Sequence, residues 1–137
     1  MDYATFDHSQ FPLVTITFTG AQSTDENFRT YLKNIRNIYD RKAPFVLIFD
    51  ATNASLPSFK HQLMQANWLK EHNDLISKYC LGTVYIISNA FVRGILRSIF
   101  ALQQQPCPYT VVENKAAGAT FVEQKLNSID GMSVVNS

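Results

Sequence analysis

Hydrophobic and polar positions follow two rhythms along the chain. Leu13–Thr19, LVTITFT, alternates apolar and β-branched residues with polar ones, the pattern of a half-buried strand. Phe45–Phe49, FVLIF, is a solid apolar run that stops at Asp50, and a short polar loop, Ala51–Ser55, separates it from Pro57. A run of that length bounded by turn residues predicts a strand buried on both faces, hence the centre of a sheet covered by helices on both sides. Leu81–Ser88, LGTVYIIS, predicts a second buried strand, and Tyr109–Val112 a short last one. Tyr3–Asp7 predicts an edge strand, joined to Leu13–Thr19 in a hairpin through the polar turn His8-Ser9-Gln10 and Pro12.

Between the strands the period changes to that of a helix. Ser23-Thr24-Asp25-Glu26 has capping-box spacing, and Phe28, Leu32, Ile35 and Ile38 or Tyr39 recur behind it on one face until Pro44 forbids continuation. Ser58 to about Ser77 predicts one long helix with Pro57 in its first turn. Its expected core face is Phe59, Leu63, Ala66, Leu69 and Ile76. Met64, Trp68 and Leu75 form a second stripe, either a wider core contact or a surface for a partner. Ala90–Gln103 predicts a helix with Val92, Ile95, Leu96, Ile99 and Leu102 inward and Arg93 and Arg97 on its flank. Asn114 can cap a final helix with Ala119, Val122, Leu126 and Ile129 inward, and the tail 130–137 is polar enough to fray. Strands alternating with helices predict an α/β fold: a mixed, mostly parallel sheet of four or five strands flanked by four helices, in a single domain over 1–137.

Composition narrows the function classes. A net charge of +1 supplies no field for nucleic acid. No apolar run is long enough to span a bilayer, and the acidic start MDYATFDHSQ is unlike a signal peptide, which points to a soluble cytoplasmic protein. Cys80 and Cys107 have neither metal spacing nor a disulfide framework. A bridge between them stays open, and reduced thiols suit a cytosolic protein.

Phosphate-loop, dinucleotide and nucleophile-elbow motifs are absent. His61 and His72 stand roughly 16 Å apart along one predicted helix, too far to share a metal. Asp50 ends a strand as a phosphoacceptor aspartate does, but the acidic pair such a site needs after an earlier strand is replaced by Gly20-Ala21-Gln22-Ser23. Arg29, Lys33 and Arg36 form either a phosphate-binding stripe or a solvated helix face. No enzyme, metal or cofactor is therefore expected. The candidate binding residues are those of the loop beyond the central strand: Asp50, Thr52, Asn53, Ser55 and Ser58.

The element order, the strand and loop LIFDATNASLPSF and the later ISNAFVRGILRSIF resemble a STAS domain of the SpoIIAA-like group, over about Leu13 to Leu126. In anti-sigma factor antagonists of this kind an Asp-Ser-Ser-Gly motif carries a phosphorylated serine. It falls here on Leu56-Pro57-Ser58-Phe59, so only Ser58 survives, without the small neighbours that suit a kinase. The resemblance implies a non-enzymatic regulatory or protein-interaction module. Its alternative is a carrier or sensor of a lipid or other apolar molecule in a SEC14-like groove lined by Phe59, Met64, Trp68, Ile95 and Phe100, with Arg93 or Arg97 as head-group partner. On either reading the stripe of Met64, Trp68 and Leu75, with Phe59, is expected to meet a second copy, another protein or an apolar ligand, a homodimer being the simplest case.

Overall fold

In the computed structural model, residues 1–102 and 105–136 are described, with the side chains of 95, 98–100, 102 and 130–136 outside the described set. The expected contacts Ile95, Ile99, Phe100 and Leu102 and the expected helix end at Gln103 fall outside it. Five strands, β1 (Ala4–Gln10), β2 (Leu13–Phe18), β3 (Phe45–Asp50), β4 (Cys80–Ile86) and β5 (Tyr109–Val112), form one sheet in the order of the chain. β1 runs antiparallel to β2, through a turn containing a cis Phe11–Pro12 peptide, and β2 to β5 are parallel. β3 is central, with Val14 opposite Leu47 on one side and Phe49 opposite Tyr85 on the other.

Parallel strands laid down in sequence, each joined by a right-handed crossover, put their connecting helices on one face. Helices α1 (Asp25–Ile38), α2 (Phe59–Glu71) and α3 (Asn73–Tyr79) accordingly share a core with Val14, Ile16, Phe45 and Leu47. α4 (Ala90–Leu102) follows β4, and α5 (Ala119–Asn136) covers the opposite face through Phe121 and Val122 against Ile48, Val84 and Ile86. Alternation along β3 therefore feeds two cores. α5 lies so close that a Cβ on Gly82 would stand 2.9 Å from the Phe121 ring. No helix among the described residues is long and apolar enough to cross a membrane.

Several expectations are corrected. The first helix is capped by Thr24, one residue later than expected: its hydroxyl accepts from Asn27 N and the Asn27 side chain accepts from Thr24 N. The predicted long helix is two helices, which raises the helix count from four to five. It breaks at His72, whose Nδ1 donates to Trp68 O (2.8 Å) while its ring stacks on Trp68 at 4.3 Å. Pro57 lies outside the helix, and Ser58 is the cap.

The largest correction concerns which face of α2 is buried. His61, Met64, Gln65 and Trp68, at helical spacing, point inward, and Trp68 is 9% exposed and part of the core. Met64 and Leu75 pack on that core. Phe59 and Leu63, expected inside, are 73% and 51% exposed, and Ala66 and Leu69 are exposed as well. Only Ile76 of the expected inward set is buried. The stripe through Trp68 is thus no outward interface. Trp68→Ala should lower the unfolding free energy by about 3 kcal/mol in a urea titration, leaving sedimentation unchanged. A loss below about 1 kcal/mol would place Trp68 outside the core.

Candidate functional site

The loop after β3 is fastened to the segment that follows β2. Gly20 adopts φ 89°, and a Cβ there would meet the carbonyl oxygen of Asn53 at 2.9 Å, so both the conformation and the approach require glycine. The Ser55 hydroxyl donates to Ala21 O (2.7 Å), the Tyr3 hydroxyl donates to Ser55 O (3.1 Å), and Ser58 N donates to Ser23 Oγ (3.1 Å). Asp50 accepts from both the amide and the hydroxyl of Thr52, closing the turn that starts the loop.

Where the loop enters α2, a buried histidine joins two helix starts. His61 is 4% exposed and stacks on Phe28 with ring centres 5.1 Å apart. Its Nε2 lies 2.9 Å from Asp25 Oδ1, and its Nδ1 lies 2.7 Å from Ser23 Oγ and 2.8 Å from Ser58 Oγ. Lys60 bonds the other Asp25 oxygen at 2.8 Å. Lys60 and then His61, both donating to the carboxylate, hold Asp25 down at about 2. An ionised Asp25 requires a proton on Nε2, and Nδ1 faces the two serine hydroxyls. The arrangement has the atoms of a serine–histidine–aspartate relay, but Ser58 Oγ also accepts from His61 N as the α2 cap (3.3 Å). Its demonstrable work is to clamp α1 to α2.

Behind this clamp the helix layer stands away from the sheet. A chamber of about 280 Å³ lies over β3–β5, walled by Phe49, Thr83, Tyr85 and Tyr109 from the sheet and by Gln65, Trp68 and Ile76 from the helices. It shares Phe18, Tyr31, Ala51 and Gln65 as walls with a groove of about 590 Å³, which runs between the loop, the start of α2 and Val92 and Leu96 of α4. The sheet wall is a ladder of rings. Phe18 stacks on Phe49 (6.1 Å), Phe49 on Tyr85 (5.4 Å), and Tyr85 meets Tyr109 edge-on (6.4 Å). Burial pushes the Tyr31, Tyr39 and Tyr85 phenols up, the sign of a poorly solvated interior. Among the described residues no Lys, Arg, Asp or Glu lines either space.

Comparison with solved structures finds this architecture in the crystal structure of an uncharacterized protein of the DUF3478 family with a SpoIIAA-like fold, from Shewanella loihica PV-4. The TM-score is 0.66 at 14% identity, over 87% of this chain and 91% of that one. The fold is SpoIIAA-like. At that identity the likeness is one of fold. No family model and no curated protein matches the chain.

The SpoIIAA-like frame separates the residues that the sequence grouped together. Thr52 and Ser55 line the groove, whereas Asp50, Asn53 and Ser58 lie outside it. Trp68 lines the chamber, while Phe59, Met64 and Leu75 line neither space. Arg93 donates to Ile87 O and Ser88 O, and Arg97 to Val111 O, all at 2.8 Å, so both guanidinium groups cap strand ends and neither faces the groove as a head-group partner. Arg36 pairs with Asp40 at 3.0 Å on an exposed helix face, as a solvated stripe does.

Sequence reasoning missed His61 as a strut, because it was weighed only as a metal ligand. It missed Gln65, the ring ladder and the two cysteines as cavity walls, although Phe18, Phe49 and Tyr85 each occupy the period-two face of a strand. The clamp has a pH signature. The pKa of Asp25 is lower in the folded chain than its ordinary 3.8, so its stabilisation is present above that value and is lost as pH falls toward about 2. The stability difference between wild type and Asp25→Asn should be widest near neutral pH and close across that acid window. A difference that does not change with pH would show that the carboxylate charge contributes nothing.

Proposed function

We propose that this SpoIIAA-like domain is a binding module for an uncharged, apolar small molecule held between the sheet and the helix layer. The observation that carries the reading is the ring-walled chamber with the groove beside it at the carboxyl ends of the strands, the two sharing Phe18, Tyr31, Ala51 and Gln65 as walls. Together they have the size and the mostly apolar lining of small-molecule sites. Among the described residues neither lining carries a charged side chain, which favours an uncharged ligand, because a buried ionic head group would find no counter-charge there. Gln65 and Thr83 within, and Gln62, Ser88 and Asn89 in the groove, suit one or two hydrogen-bonding groups on a largely apolar body.

The module works by binding and not by catalysis, since the Ser58–His61 pairing is a helix cap outside both spaces. A cytoplasmic setting accords with its free cysteines. Native mass spectrometry of protein from its own cells should show a retained neutral mass, and the neutral dye Nile red should bind after that mass is stripped. Ala51→Phe, filling the junction of chamber and groove, should weaken dye binding by about tenfold or more with an unchanged circular dichroism spectrum. A wild-type protein that carries no mass and binds no dye would overturn the reading.

A protein-interaction role, which the STAS resemblance implies, draws support from a surface that keeps only Phe59 of the expected set. Leu56 at the groove edge and Phe59 and Leu63 on the outward face of α2 are exposed, as are Phe91 and Val92 at the start of α4. If that face self-associates, sedimentation will depend on concentration, and Phe59→Ser will abolish the dependence. Concentration-independent sedimentation of the wild type would exclude the dimer.

A further inference from the structure

Cys80 and Cys107 are 27 residues apart in sequence, yet both sulfurs stand in the wall of the chamber. Cys80 opens β4, is buried, and is held opposite Phe45 of β3. Cys107 is half-buried between Pro106 and Pro108. Its Sγ lies 3.6 Å from Cys80 Sγ, and the Thr83 hydroxyl bridges the two at 3.5 and 3.4 Å. A disulfide needs about 2.05 Å, so the sulfurs are already in contact and an approach of roughly 1.5 Å would bond them. The segment is held in that position from both sides: Thr83 N donates to Pro108 O (2.9 Å), and the Ser77 hydroxyl donates to Pro106 O (3.2 Å).

We propose that Cys80 and Cys107 form a reversible thiol-oxidation site, converted to a disulfide by a hydroperoxide, and that its closure contracts the chamber and loosens the hold on the bound molecule. The second half rests on the chamber being the binding site; the first does not.

The two thiols are chemically unequal. The Cys80 thiol and the Thr83 hydroxyl can both donate to a Cys107 thiolate, and Lys125 adds its field. Together they draw the Cys107 thiol below its ordinary value against the opposing effect of burial. Cys80 is pushed the other way, first by its hydrogen bond to Cys107 and then by burial. Cys107 is half-buried whereas Cys80 is buried, so Cys107 is the sulfur a hydroperoxide reaches first and Cys80 the resolving one.

The Cys107 thiolate attacks one peroxide oxygen and the O–O bond breaks. The departing alkoxide, or hydroxide from hydrogen peroxide, takes up a proton, and Cys107 is left as a sulfenic acid. Cys80 sulfur then attacks Cys107 sulfur; the S–S bond forms, the S–O bond breaks, and water leaves with the Cys80 proton. Two thiols are oxidised, and one hydroperoxide is reduced to an alcohol or to water. The Thr83–Pro108 bond and the pairing of Tyr109 with Thr83 hold the far end of the segment to β4, so the closing movement falls on Cys107 and Pro106, both of which line the chamber. Drawing that wall toward β4 removes volume from the space the ligand occupies.

The test exposes the reduced full chain to hydrogen peroxide, then quenches and denatures it before thiols are counted and intact mass is read. The expected result is loss of both thiols and of two hydrogen masses in the monomer, reversed by dithiothreitol. In Cys80→Ser, dimedone should trap a sulfenic acid at Cys107; in Cys107→Ser, Cys80 should stay unmodified at the same dose. Nile red affinity should fall about fivefold on oxidation of the wild type, a modest coupling between sites, and should not fall in Cys107→Ser. Thiols that persist at doses that modify Cys107 in Cys80→Ser, or disulfides formed only between chains, would overturn the redox site. An intramolecular disulfide with unchanged dye affinity would overturn the coupling. A reduced wild type that binds no dye would instead sink the binding reading, while the thiol count still decides the chemistry of the pair.

Discussion

Because Phe45, Val46, Leu47 and Ile48 are all nearly inaccessible, β3 has no face that can be given to water, and the layers of the molecule follow from covering it twice. Each such side chain contributes on the order of 2 kcal/mol only if both coverings are in place. Phe45 and Leu47 demand the α1–α2–α3 layer, and Ile48 demands α5. The backbone is committed as firmly. Val46 N donates to Pro12 O at one end of the strand, and Ala51 N donates to Ile86 O just beyond the other. β2 and β4 are thereby locked beside β3, and the loop that carries the groove departs from a fixed point.

The same arrangement accounts for the chamber. Strands laid in chain order send their crossovers over one face, and no reversal of strand order opens a crevice between neighbouring loops. Space for a ligand has to come from imperfect closure of the helix layer. α1 closes tightly over β2 and β3, burying Phe28, Ile35 and Ile38 almost completely. Over β4 and β5 the sheet presents ring edges and Thr83 to α2 and α3, and α2 answers with Gln65 beside Trp68. The His61 clamp fixes the start of α2 against α1, so the separation further along is built on a rigid corner.

What the sequence made legible were the features set by local periodicity and by the solvent. The two-sided burial of Phe45–Phe49, the strand at Tyr109–Val112 and the inward face of α1 all follow from patterns within one element. The helix starts were harder, because hydroxyl residues are interchangeable as caps until tertiary contacts assign them. Ser23 could have capped α1, but its oxygen accepts from Ser58 N and its partner is His61, and Thr24 takes the cap instead. Arg93 and Arg97 looked like free cations because nothing local shows that strand-end carbonyls lie within their reach. Of the loop residues beyond β3, most proved to spend their polar groups on holding the loop, and what remains for a ligand is largely apolar.

The reversal of α2 has a physical meaning of its own. By hydropathy alone Phe59, Leu63 and Ala66 belong inside and His61 and Gln65 outside, so the observed orientation gives up apolar burial and puts polar groups under cover. His61 recovers its desolvation through contacts to three side chains, Ser23, Asp25 and Ser58, and through its ring face on Phe28. Gln65 faces a cavity in place of packed carbon. The same orientation keeps Trp68 and Met64 on the core, so apolar contact is retained while two polar side chains come under cover. Local rules tend to fail where a site needs them to, and here the failure supplies a polar group inside an apolar chamber and an apolar ridge beside its entrance. Both belong to one helix, whose start is fixed by the histidine clamp, so the clamp that joins α1 to α2 also sets which side chains line the chamber.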